Sequence, residues 1–455
     1  TGNRLSNPGM VSGLALGVGL TGTPNTIFRF NDVHSTGTAI FSAYHMRLVG
    51  SPGTRLSGNV FSSSWSVTAS TAALFVDAAS QLGFVSDYND FFSSNSSNSI
   101  EWGLTNHQFP WFATTGRDAN SIAKQPRWFN PSAGAEDFHP LSQAGRWDGA
   151  GFVNDGYTSA TIDAADPVEL FGNEQALNGG RANLGSYGNT AEASKTPPSP
   201  TAPAVAGVFT SSVSVSYGLV GADGYKIFAS SALNFSGTVF SSATANGALA
   251  LLAPQGLSPN TTYYLAPGAV WGDFNAFAAA LATATLASPP ASAVSTFSAV
   301  NLSSVTASWL GNGNPIGVTT YTVVMGTGSI YPNSFFGNVT VSTMPAGALP
   351  TATVTGLGAN TTYYLYAAAR NHNGALSAYT SLGSTVTLAN DPASAVSTFS
   401  AVSNNSFVGA WGGNGNGAGT SYEAVVSTES AFPNLNAGNV YVSTRPEGAP
   451  SAPFT

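Results

Sequence analysis

The sequence predicts an all-β protein in which a parallel β-solenoid is followed by tandem antiparallel β-sandwiches. Short apolar runs, rich in β-branched and aromatic residues, recur between clusters of Gly, Ser and Asn and show no sustained helical period. In addition, the eleven residues from Pro290 to Val300 recur word for word from Pro392 to Val402. This separation is the size of a whole domain, so the second half of the chain is predicted to contain copies of one domain.

Charge is scarce throughout the 455 residues. Charged residues make up 7% of the chain, against about 25% in typical soluble domains, and the net charge is -8. Because no basic patch could neutralise phosphates, we expect no nucleic-acid binding. Because few charges would need desolvation when copies pack side by side, we expect self-association into a filament or surface layer.

Composition also constrains membrane and metal chemistry. No apolar run approaches the roughly 18 residues that span a bilayer, so no membrane insertion is predicted in this segment. Cysteine is absent, which excludes disulfides and thiolate metal sites. The chain begins at Thr1 without a Met or a charged n-region, so we expect any signal peptide to lie outside it. We assign no cofactor.

Residues 1–196 are predicted to form the parallel β-solenoid. Five apolar runs indicate strands separated by turns: Thr26–Val33, Thr38–Val49, Gly58–Val67, Ala72–Val76 and Gly83–Phe92. Their spacing of roughly a dozen to twenty residues suits successive rungs, each of which covers the apolar face of the next. Such a stack needs a cap at its end.

Three motifs follow one another in the second half of this segment. They are Asp137-Phe-His-Pro-Leu141, Ala160-Thr-Ile-Asp-Ala-Ala-Asp-Pro167 and Asn178-Gly-Gly-Arg-Ala-Asn-Leu-Gly-Ser-Tyr-Gly-Asn-Thr-Ala-Glu-Ala193. Together with the earlier run Gly83–Phe92, they resemble the C-terminal end of right-handed parallel β-helix proteins of the pectate-lyase-like superfamily, as found in secreted bacterial surface proteins. The resemblance implies that residues 1–196 are the last coils and cap of such a β-helix, outside the cell or on its surface.

We expect structural roles for the polar residues of this cap. Gly179 and Gly180 allow the positive φ angles and close backbone approach that a tight capping segment requires. Asp163 and Asp166 can accept backbone N–H groups in Asx-type turns. Arg181 is suited to pair with a buried carboxylate.

A catalytic role for the acidic residues is the alternative. Asp163 could act with Asp166 as acid and base in glycosidic cleavage, or the two could bind Ca2+ in a lyase. Asp87 and Asp90 form a second pair of the same kind. Enzymes of the resembled family carry these groups on central rungs, whereas these residues lie in the last turns and the cap. We therefore assign no catalytic and no metal-binding residue.

An aromatic-rich stretch of the same segment could stack on sugar rings, which leaves polysaccharide binding open. Its four tryptophans are Trp102, Trp111, Trp128 and Trp147. Packing within an irregular cap is the preferred interpretation. The histidines of this segment share no spacing that is typical of a zinc site.

Three proline-containing joints divide the rest of the chain: Pro197–Pro203, Ser288–Pro290 and Asn390–Pro392. The first is predicted to be stiff and extended and to hold two domains apart. The predicted domains are therefore 197–287, 288–389 and 390–455. Seven or so short strands per roughly 100 residues indicate that each is an antiparallel sandwich.

Two of these domains carry a family-specific motif. Leu257–Leu265 and Leu357–Leu365 share the run Asn-Thr-Thr-Tyr-Tyr-Leu and resemble the tyrosine-corner strand of fibronectin type III domains. The resemblance implies three fibronectin type III-like sandwiches in tandem.

The same resemblance implies roles for particular aromatic residues. Trp309 and Trp411 match the tryptophan that fills the core of the family, and the first domain departs from the pattern with Tyr217 at this position. Tyr263 and Tyr363, each one of a Tyr-Tyr pair, match the corner tyrosine whose hydroxyl bonds to the backbone.

The third domain is predicted to be incomplete. It reaches Thr455 where the second domain enters Pro350–Thr355, so it lacks counterparts of the tyrosine-corner strand and of the strand after it. Half a core with two unpaired edges would not be stable alone. Either the chain continues, or strands of a neighbouring molecule complete the domain.

These observations favour an extracellular structural or adhesive surface protein over an enzyme. The sandwiches would serve as a stalk, a sheath or a filament element. The alternative is a polysaccharide-active lyase or hydrolase whose groove lies on β-helix rungs N-terminal to this chain.

Overall fold

The computed structural model is almost entirely β-structure. It describes residues 1–67, 70–94, 98–334, 337–417, 419–435, 438–444 and 450–455, and of residues 7–15, 38–41, 65–67, 70 and 71 only the backbone is described. The only helix within these ranges is the four-residue α1, Phe112–Thr115. No helix in the described part is long and apolar enough to cross a bilayer.

The N-terminal part, residues 1–196, contains fourteen strands in the described ranges. They are β1 (Arg4–Thr21), β2 (Ile27–Arg29), β3 (Asp32–Val49), β4 (Arg55–Ser57), β5 (Val60–Val67), β6 (Ser70–Val76), β7 (Val85–Asp87), β8 (Asp90–Ser93), β9 (Ser99–Trp102), β10 (Thr105–Gln108), β11 (Trp128–Asn130), β12 (Asp137–Pro140), β13 (Arg146–Trp147) and β14 (Phe152–Val153).

Most of these strands stack in parallel. In the larger sheet, β3 pairs with β1 on one side and with both β5 and β6 on the other. Next, β8 pairs with β5, and β9 pairs with β6. All of these pairs are parallel. A second parallel sheet joins β2, β4 and β7. Among the strands described, β10 alone adds to the larger sheet in the antiparallel direction. The chain therefore passes repeatedly through two sheets, and each pass lies on the previous one.

The predicted runs Thr26–Val33, Gly58–Val67 and Gly83–Phe92 differ from the observed strands because the chain bends at each passage between sheets. Phe30 and Tyr88 adopt left-handed backbone angles of +51° and +53°, and Gly58 adopts +70°. A left-handed residue interrupts an extended strand, so one apolar run becomes a short strand in one sheet and a longer strand in the other.

A ladder of asparagine side chains lies directly after these bends. Asn31 donates from its backbone N–H and its Nδ2 to Asn59 Oδ1, at 3.1 and 2.8 Å. Asn59 donates in the same way to Asn89 Oδ1, at 3.1 and 2.9 Å, and Asn3 does so to Asn31. All three acceptors are fully buried. The ladder thus satisfies backbone groups that the bends remove from the sheets.

Apolar side chains form a continuous column between the sheets. Val33, Phe61 and Phe91 occupy the same register position on neighbouring strands, and the rings of Phe61 and Phe91 stack at 5.3 Å. Trp111 closes the column, 5.2 Å from Phe91, and is 1% exposed. Each large side chain buried in this way stabilises the fold by about 1.5–3 kcal/mol.

The remaining residues form pairs of antiparallel sheets. The first pair contains β15 (Thr201–Val208), β16 (Val213–Gly218), β17 (Gly224–Ser230), β18 (Val239–Thr244), β19 (Leu251–Leu252), β20 (Thr262–Trp271), β21 (Phe274–Phe277) and β22 (Leu281–Ala284). The second contains β23 (Ala291–Val300), β24 (Ser304–Leu310), β25 (Thr320–Gly326), β26 (Val339–Thr343), β27 (Thr351–Thr355), β28 (Thr362–Arg370) and β29 (Thr380–Val386). The third contains β30 (Ala393–Ser400), β31 (Phe407–Gly412), β32 (Tyr422–Val426), β33 (Val440–Thr444) and β34 (Ser451–Phe454).

The three pairs share a strand order. Each pair has one three-stranded sheet, with the order β15-β16-β19 in the first pair, β23-β24-β27 in the second and β30-β31-β34 in the third. The other is β18-β17-β20 with β21 and β22, then β26-β25-β28-β29, and in the described part of the third pair β33-β32 alone. In the first two pairs a buried apolar cluster lies between the sheets.

An aromatic pair recurs in each core. Trp309 packs edge-on against Tyr321 at 5.4 Å, and Trp411 against Tyr422 at 5.7 Å. The first sandwich has Tyr217 at the tryptophan position, where its hydroxyl donates to Leu249 O at 3.0 Å. The tyrosine therefore fills the same place and satisfies its polar atom with a backbone carbonyl.

We predict that Asn59→Ala destabilises the N-terminal part by about 3–5 kcal/mol, because its side chain makes four hydrogen bonds, with the N–H and Nδ2 of Asn31, Phe28 O and Asn89 Oδ1. Calorimetry of the full chain should show the corresponding transition lowered by about 10 °C. The exposed Asn154→Ala serves as the control, with an expected change below about 0.5 kcal/mol. Equal effects of the two substitutions would show that the ladder contributes nothing.

Candidate functional site

The cap residues Asp163 and Asp166 form turns. Asp163 Oδ1 accepts a hydrogen bond from Thr196 Oγ1 at 2.9 Å, and its own N–H donates to Asn183 Oδ1 at 2.9 Å. Asp166 Oδ1 accepts from the N–H of Val168 at 3.1 Å. The two carboxylates therefore bond to separate parts of the cap.

Gly179 and Gly180 both have positive φ, +59° and +74°. The Asp163 carboxylate occupies the place of a side chain at Gly179, because a Cβ there would lie 1.9 Å from Asp163 Oδ2. Any larger residue at this position would push the carboxylate away from Thr196. At Gly180 the requirement is the backbone angle alone.

Arg181 bonds to backbone rather than to a carboxylate. Its guanidinium donates to the carbonyl oxygens of Ala164 and Ala165 and lies 5.5 Å from the ring centre of Tyr88. We expected Arg181 to pair with a buried carboxylate; its hydrogen bonds go to these carbonyl groups, while its positive charge favours the ionised form of the buried Asp163. The positive charge also ties the Ala160–Pro167 motif to the coil that contains Tyr88.

Buried carboxyl groups in this part are held with raised pKa values. Burial raises the pKa of Glu174 to about 7, although its Oε1 accepts the N–H groups of Asn183 and Asn189. Burial also raises the pKa of Asp163 to about 7, and the nearby negative charge of Glu174 adds to this effect. Asp32 is fully buried against Ser186, and burial raises its pKa to about 7 as well.

The structure does not bring Asp87 and Asp90 into one site. Asp90 is fully buried, accepts the N–H of Lys124 at 2.9 Å, and burial raises its pKa well above the usual range. Asp87 lies at the surface, where both of its oxygens accept hydrogen bonds from Asn120. One carboxyl of this pair is therefore inaccessible to a ligand.

Asp87 and Asp166 instead line a common cleft of about 420 Å³. Its floor is the outer face of the sheet formed by β2, β4 and β7, and it includes Arg29, Arg55 and Glu169. Arg29 forms an ion pair with Glu169. In a chain with 7% charged residues, this cleft brings charges of both signs together.

The residues Arg29, Arg55 and Glu169 were not apparent as neighbours from sequence. The signal that could have indicated them is the register of the rungs, in which Arg29, Ser57 and Asp87 occupy equivalent positions. The cleft could hold a polar ligand. Of its three carboxylates, Glu169 is paired with Arg29 and Asp87 is held by Asn120.

The tryptophans are packed inside the protein. Trp111 and Trp128 are 1% and 8% exposed, and Trp111 Nε1 donates to Asp118 Oδ2 at 2.9 Å. Trp102 and Trp147 are half-buried against Phe84 and Phe152. The buried Trp111 and Trp128 are therefore not available to stack on sugar rings.

The histidines of this part have different surroundings. Burial lowers the pKa of His45 to about 3 and also lowers the pKa of His34, so both rings are neutral. His139 Nδ1 lies 2.5 Å from Asp137 Oδ1. Among the described residues no group of three or more His, Cys, Asp or Glu side chains is arranged to hold a metal ion.

The corner tyrosines contact the backbone in the first two sandwiches. The hydroxyl of Tyr263 accepts the N–H of Ser258 at 3.0 Å, and that of Tyr363 accepts the N–H of Gly358 at 2.8 Å. Each bond spans five residues and ties the loop before the strand to the strand itself. The second tyrosine of each pair is half-buried.

Several solved fibronectin type III arrays are similar to part of this chain. A two-domain segment of chicken tenascin is 17% identical and covers 42% of this chain and 99% of its own, with a TM-score of 0.30. The FN1–FN3 domains of chicken CNTN1 are 13% identical over 43% and 70%, with a TM-score of 0.21. The central fibronectin type III array of RIM-binding protein is 16% identical over 47% and 79%, with a TM-score of 0.17.

These TM-scores are too low to support conclusions about this chain's activity or partners. No protein-family model matches the chain. No curated protein is significantly similar to it.

We predict that Tyr363→Phe destabilises the second sandwich by about 1–2 kcal/mol, because the N–H of Gly358 loses its acceptor. Denaturant unfolding of the full chain, followed by hydrogen exchange in β28, measures the loss. Tyr364→Phe is the matched control, with an expected change below about 0.5 kcal/mol. A comparable loss in both variants would contradict a corner role specific to Tyr363.

Glu174 should make the N-terminal part less stable as pH rises. Its pKa is about 7 in the folded state and ordinarily 4.5. Between these values the folded state holds a proton that the unfolded state has released, so stability falls with rising pH and is constant above about 7. We therefore compare the free energy of unfolding of Glu174→Gln with that of the natural protein. We predict that the difference, in favour of Glu174→Gln, grows by about 2–3 kcal/mol between pH 5 and pH 8.

Melting temperatures of both proteins across this pH range test the effect. The exposed Glu429→Gln, in the third sandwich, is the control and should leave the N-terminal transition unchanged at every pH. A constant difference between Glu174→Gln and the natural protein would refute the titration.

Proposed function

We propose that this chain is part of an extracellular structural or adhesive surface protein, in which the sandwiches form a stalk of fixed geometry. The observation that carries the proposal is a set of hydrogen bonds that recurs at both joints between sandwiches. A flexible tether between domains has no need of such bonds, whereas a stalk that must hold its direction does.

The first part of this set crosses directly from one sandwich to the next. Asn260 Nδ2 donates to Thr319 Oγ1 at 2.9 Å, and Asn360 Nδ2 donates to Thr420 Oγ1. Asn260 is fully buried at this contact. The two asparagines occupy the same position in the Asn-Thr-Thr-Tyr-Tyr-Leu motif, immediately before the corner strand.

The second part holds the connecting segment against the following sandwich. Asn314 accepts the N–H of Ser288 and donates to its carbonyl oxygen, both at 2.8 Å. Asn416 forms the same pair of bonds with Asn390, also at 2.8 Å. Equal contacts at successive joints favour an equal orientation of successive domains, which is the property of a regular rod.

These contacts also explain the Asn-Thr-Thr runs, which match the acceptor pattern for N-glycosylation. The side chain of Asn260 is 0% exposed and bonded to the next sandwich. It is therefore inaccessible to a glycan, and the motif supports the joint instead.

The N-terminal part is also held against the first sandwich. Trp271 Nε1 donates to Pro198 O at 3.0 Å, the N–H of Asp273 donates to Thr158 O at 3.1 Å, and Arg127 lies 3.4 Å from Asp273. The segment Pro197–Pro203 was expected to hold two domains apart, but β15 begins within it at Thr201. The proline run is therefore packed between the two parts.

Within this proposal, residues 1–196 are the last coils and cap of a right-handed parallel β-helix of a secreted, bacterial type. The parallel register of successive strands and the asparagine ladder, with steps of 28 and 30 residues, support this assignment. The fibronectin type III-like domains of the proposal are residues 197–287, 288–389 and 390–455. Gly179, Gly180, Arg181, Asp163, Asp166, Trp309, Trp411, Tyr263 and Tyr363 take structural roles in it.

Self-association into a filament or surface layer and contact with polysaccharide stay predictions from the low charge and the resemblance. The alternative, a lyase or hydrolase with its groove on N-terminal rungs, also stays a prediction. The cleft near Asp87 does not favour it, because the oxygens of that carboxylate are engaged by Asn120.

We predict that the double substitution Asn260→Ala with Asn360→Ala loosens the rod without unfolding it. Each change removes a side-chain bond to the next sandwich, so the orientation of neighbouring domains should vary. Distances between spin labels placed in the first and third sandwiches should change from a narrow to a broad distribution.

Asn301→Ala is the matched control, since this exposed asparagine bonds only within its own sandwich, to Ser304 Oγ. A broad distribution in the unsubstituted protein would refute the proposed stalk. So would a narrow distribution that survives the double substitution.

A further inference from the structure

The eleven residues that the second and third sandwiches share word for word form the first strand of each. They are residues 290–300, which contain β23, and residues 392–402, which contain β30. Each is termed a repeated segment. Both strands lie at the edge of a three-stranded sheet, and neither segment contains a charged residue. The longest identity between the two sandwiches is thus on an uncharged edge strand.

A large bulge shapes both repeated segments in the same way. Between Ser292 and Phe297, four residues face the single residue Ser308 of β24. The same count occurs between Ser394 and Phe399, opposite β31. In each bulge a threonine hydroxyl donates to an alanine carbonyl three residues earlier, at 3.3 and 3.4 Å. Because a bulge interrupts regular backbone pairing, a neighbour at this edge would contact side chains rather than backbone.

A fully exposed valine lies in each bulge. It is Val294 in the second sandwich and Val396 in the third. The second sandwich has all seven of its strands, and a sandwich precedes and follows it in the chain. Val294 is nevertheless uncovered. The neighbouring domains of the same chain therefore do not cover this part of the repeated segment.

The core does not account for this identity, because the core itself varies between the two sandwiches. Val305 and Ala307 of β24 are completely buried. Their counterparts by register with the neighbouring strand are Phe407 and Gly409 of β31. Packing makes buried positions sensitive to a change of even one methylene group. Here the buried positions differ, whereas the exposed edge strand beside them is unchanged.

Recent duplication does not account for the identity either, because other exposed positions have diverged. Thr353 of β27 lies in the same sheet as β23, and its counterpart in β34 is Pro453. Thr340 of β26 lies in the other sheet, and its counterpart in β33 is Tyr441. All four residues are exposed. A surface that stays constant while the rest of the surface and the core vary indicates a contact that both copies make.

Size and spacing favour a second copy of this chain as the occupant. A stable interface takes about 20–30 residues from each partner. One repeated segment supplies eleven residues and two supply twenty-two, so both must be engaged at once. A partner that engages both must repeat at the spacing of successive sandwiches, and another copy of this chain does so by construction. Because the segments carry no charge, two copies of them meet without repulsion.

We propose that the two repeated segments are the surface through which copies of this chain pack side by side. The segments of one copy lie against those of another, and the exposed Val294 and Val396 are buried in the contact. The small alanine and serine side chains around each valine allow close approach. The inference rests on the self-association predicted for the proposed stalk, and it assigns that association to one surface.

Sedimentation of the full 455-residue chain over a range of concentrations tests the proposal. Val294→Lys and Val396→Lys each place a charge in the contact. Because burial of an unpaired charge is strongly unfavourable, each should weaken association at least about 10-fold, and both together should weaken it further. Thr340→Lys is the matched control on another exposed strand and should leave association unchanged. Added salt should not weaken association, because no ion pair contributes to it.

Cysteine substitutions locate the contact directly, since the natural chain has no cysteine. Ser295 and Ser397 are exposed neighbours of the two valines. A chain with both Ser295→Cys and Ser397→Cys should form disulfide-linked dimers on oxidation. A chain with Ser384→Cys, at an exposed position of β29, should not.

Three results would overturn the proposal. The first is a chain that stays monomeric at every concentration. The second is association that survives Val294→Lys and Val396→Lys together, and the third is an equal loss with Thr340→Lys. The spin-label distances within one chain test the stalk separately. A monomeric chain with a narrow distance distribution would therefore refute this contact and leave the stalk intact.

Discussion

Asparagine side chains supply the hydrogen bonds at the places where this chain must turn or join while its backbone is buried. In the N-terminal part Asn31, Asn59 and Asn89 satisfy one another and the backbone beside each bend. At the joints Asn314 and Asn416 do the same for the connecting segments. An amide both donates and accepts, so a single residue type can serve each of these positions.

This use of amides fits the scarcity of charge and the absence of cysteine. A hydrogen bond between neutral amide groups needs no counter-ion. Unlike an ion pair, it is insensitive to salt and pH. Stacked rungs and repeated joints can therefore continue along a chain without accumulating charge. The exceptions are buried carboxyl groups such as Asp32, Asp163 and Glu174, whose pKa values burial raises to about 7, so that stability is expected to depend on pH.

Repetition also separates what the fold requires from what one copy adds. The pairs Trp309 with Tyr321 and Trp411 with Tyr422 occur at the same place, so they belong to the fold. Glu423, by contrast, replaces the buried Thr322 of the other copy and is exposed.

The sequence by itself determined the β-structure, the positions of some of the strands and the repetition of the second half, because these depend on local alternation and on identity between copies. It also indicated Tyr263 and Tyr363 as candidates for the corner, since that bond spans only five residues. The bends at Phe30 and Tyr88, the backbone partners of Arg181, the mixed-charge cleft and the contact across Pro197–Pro203 were decided by the tertiary structure. Each of them joins residues far apart in the chain, and their proximity follows from the register of stacked strands and packed domains, which no local pattern specifies.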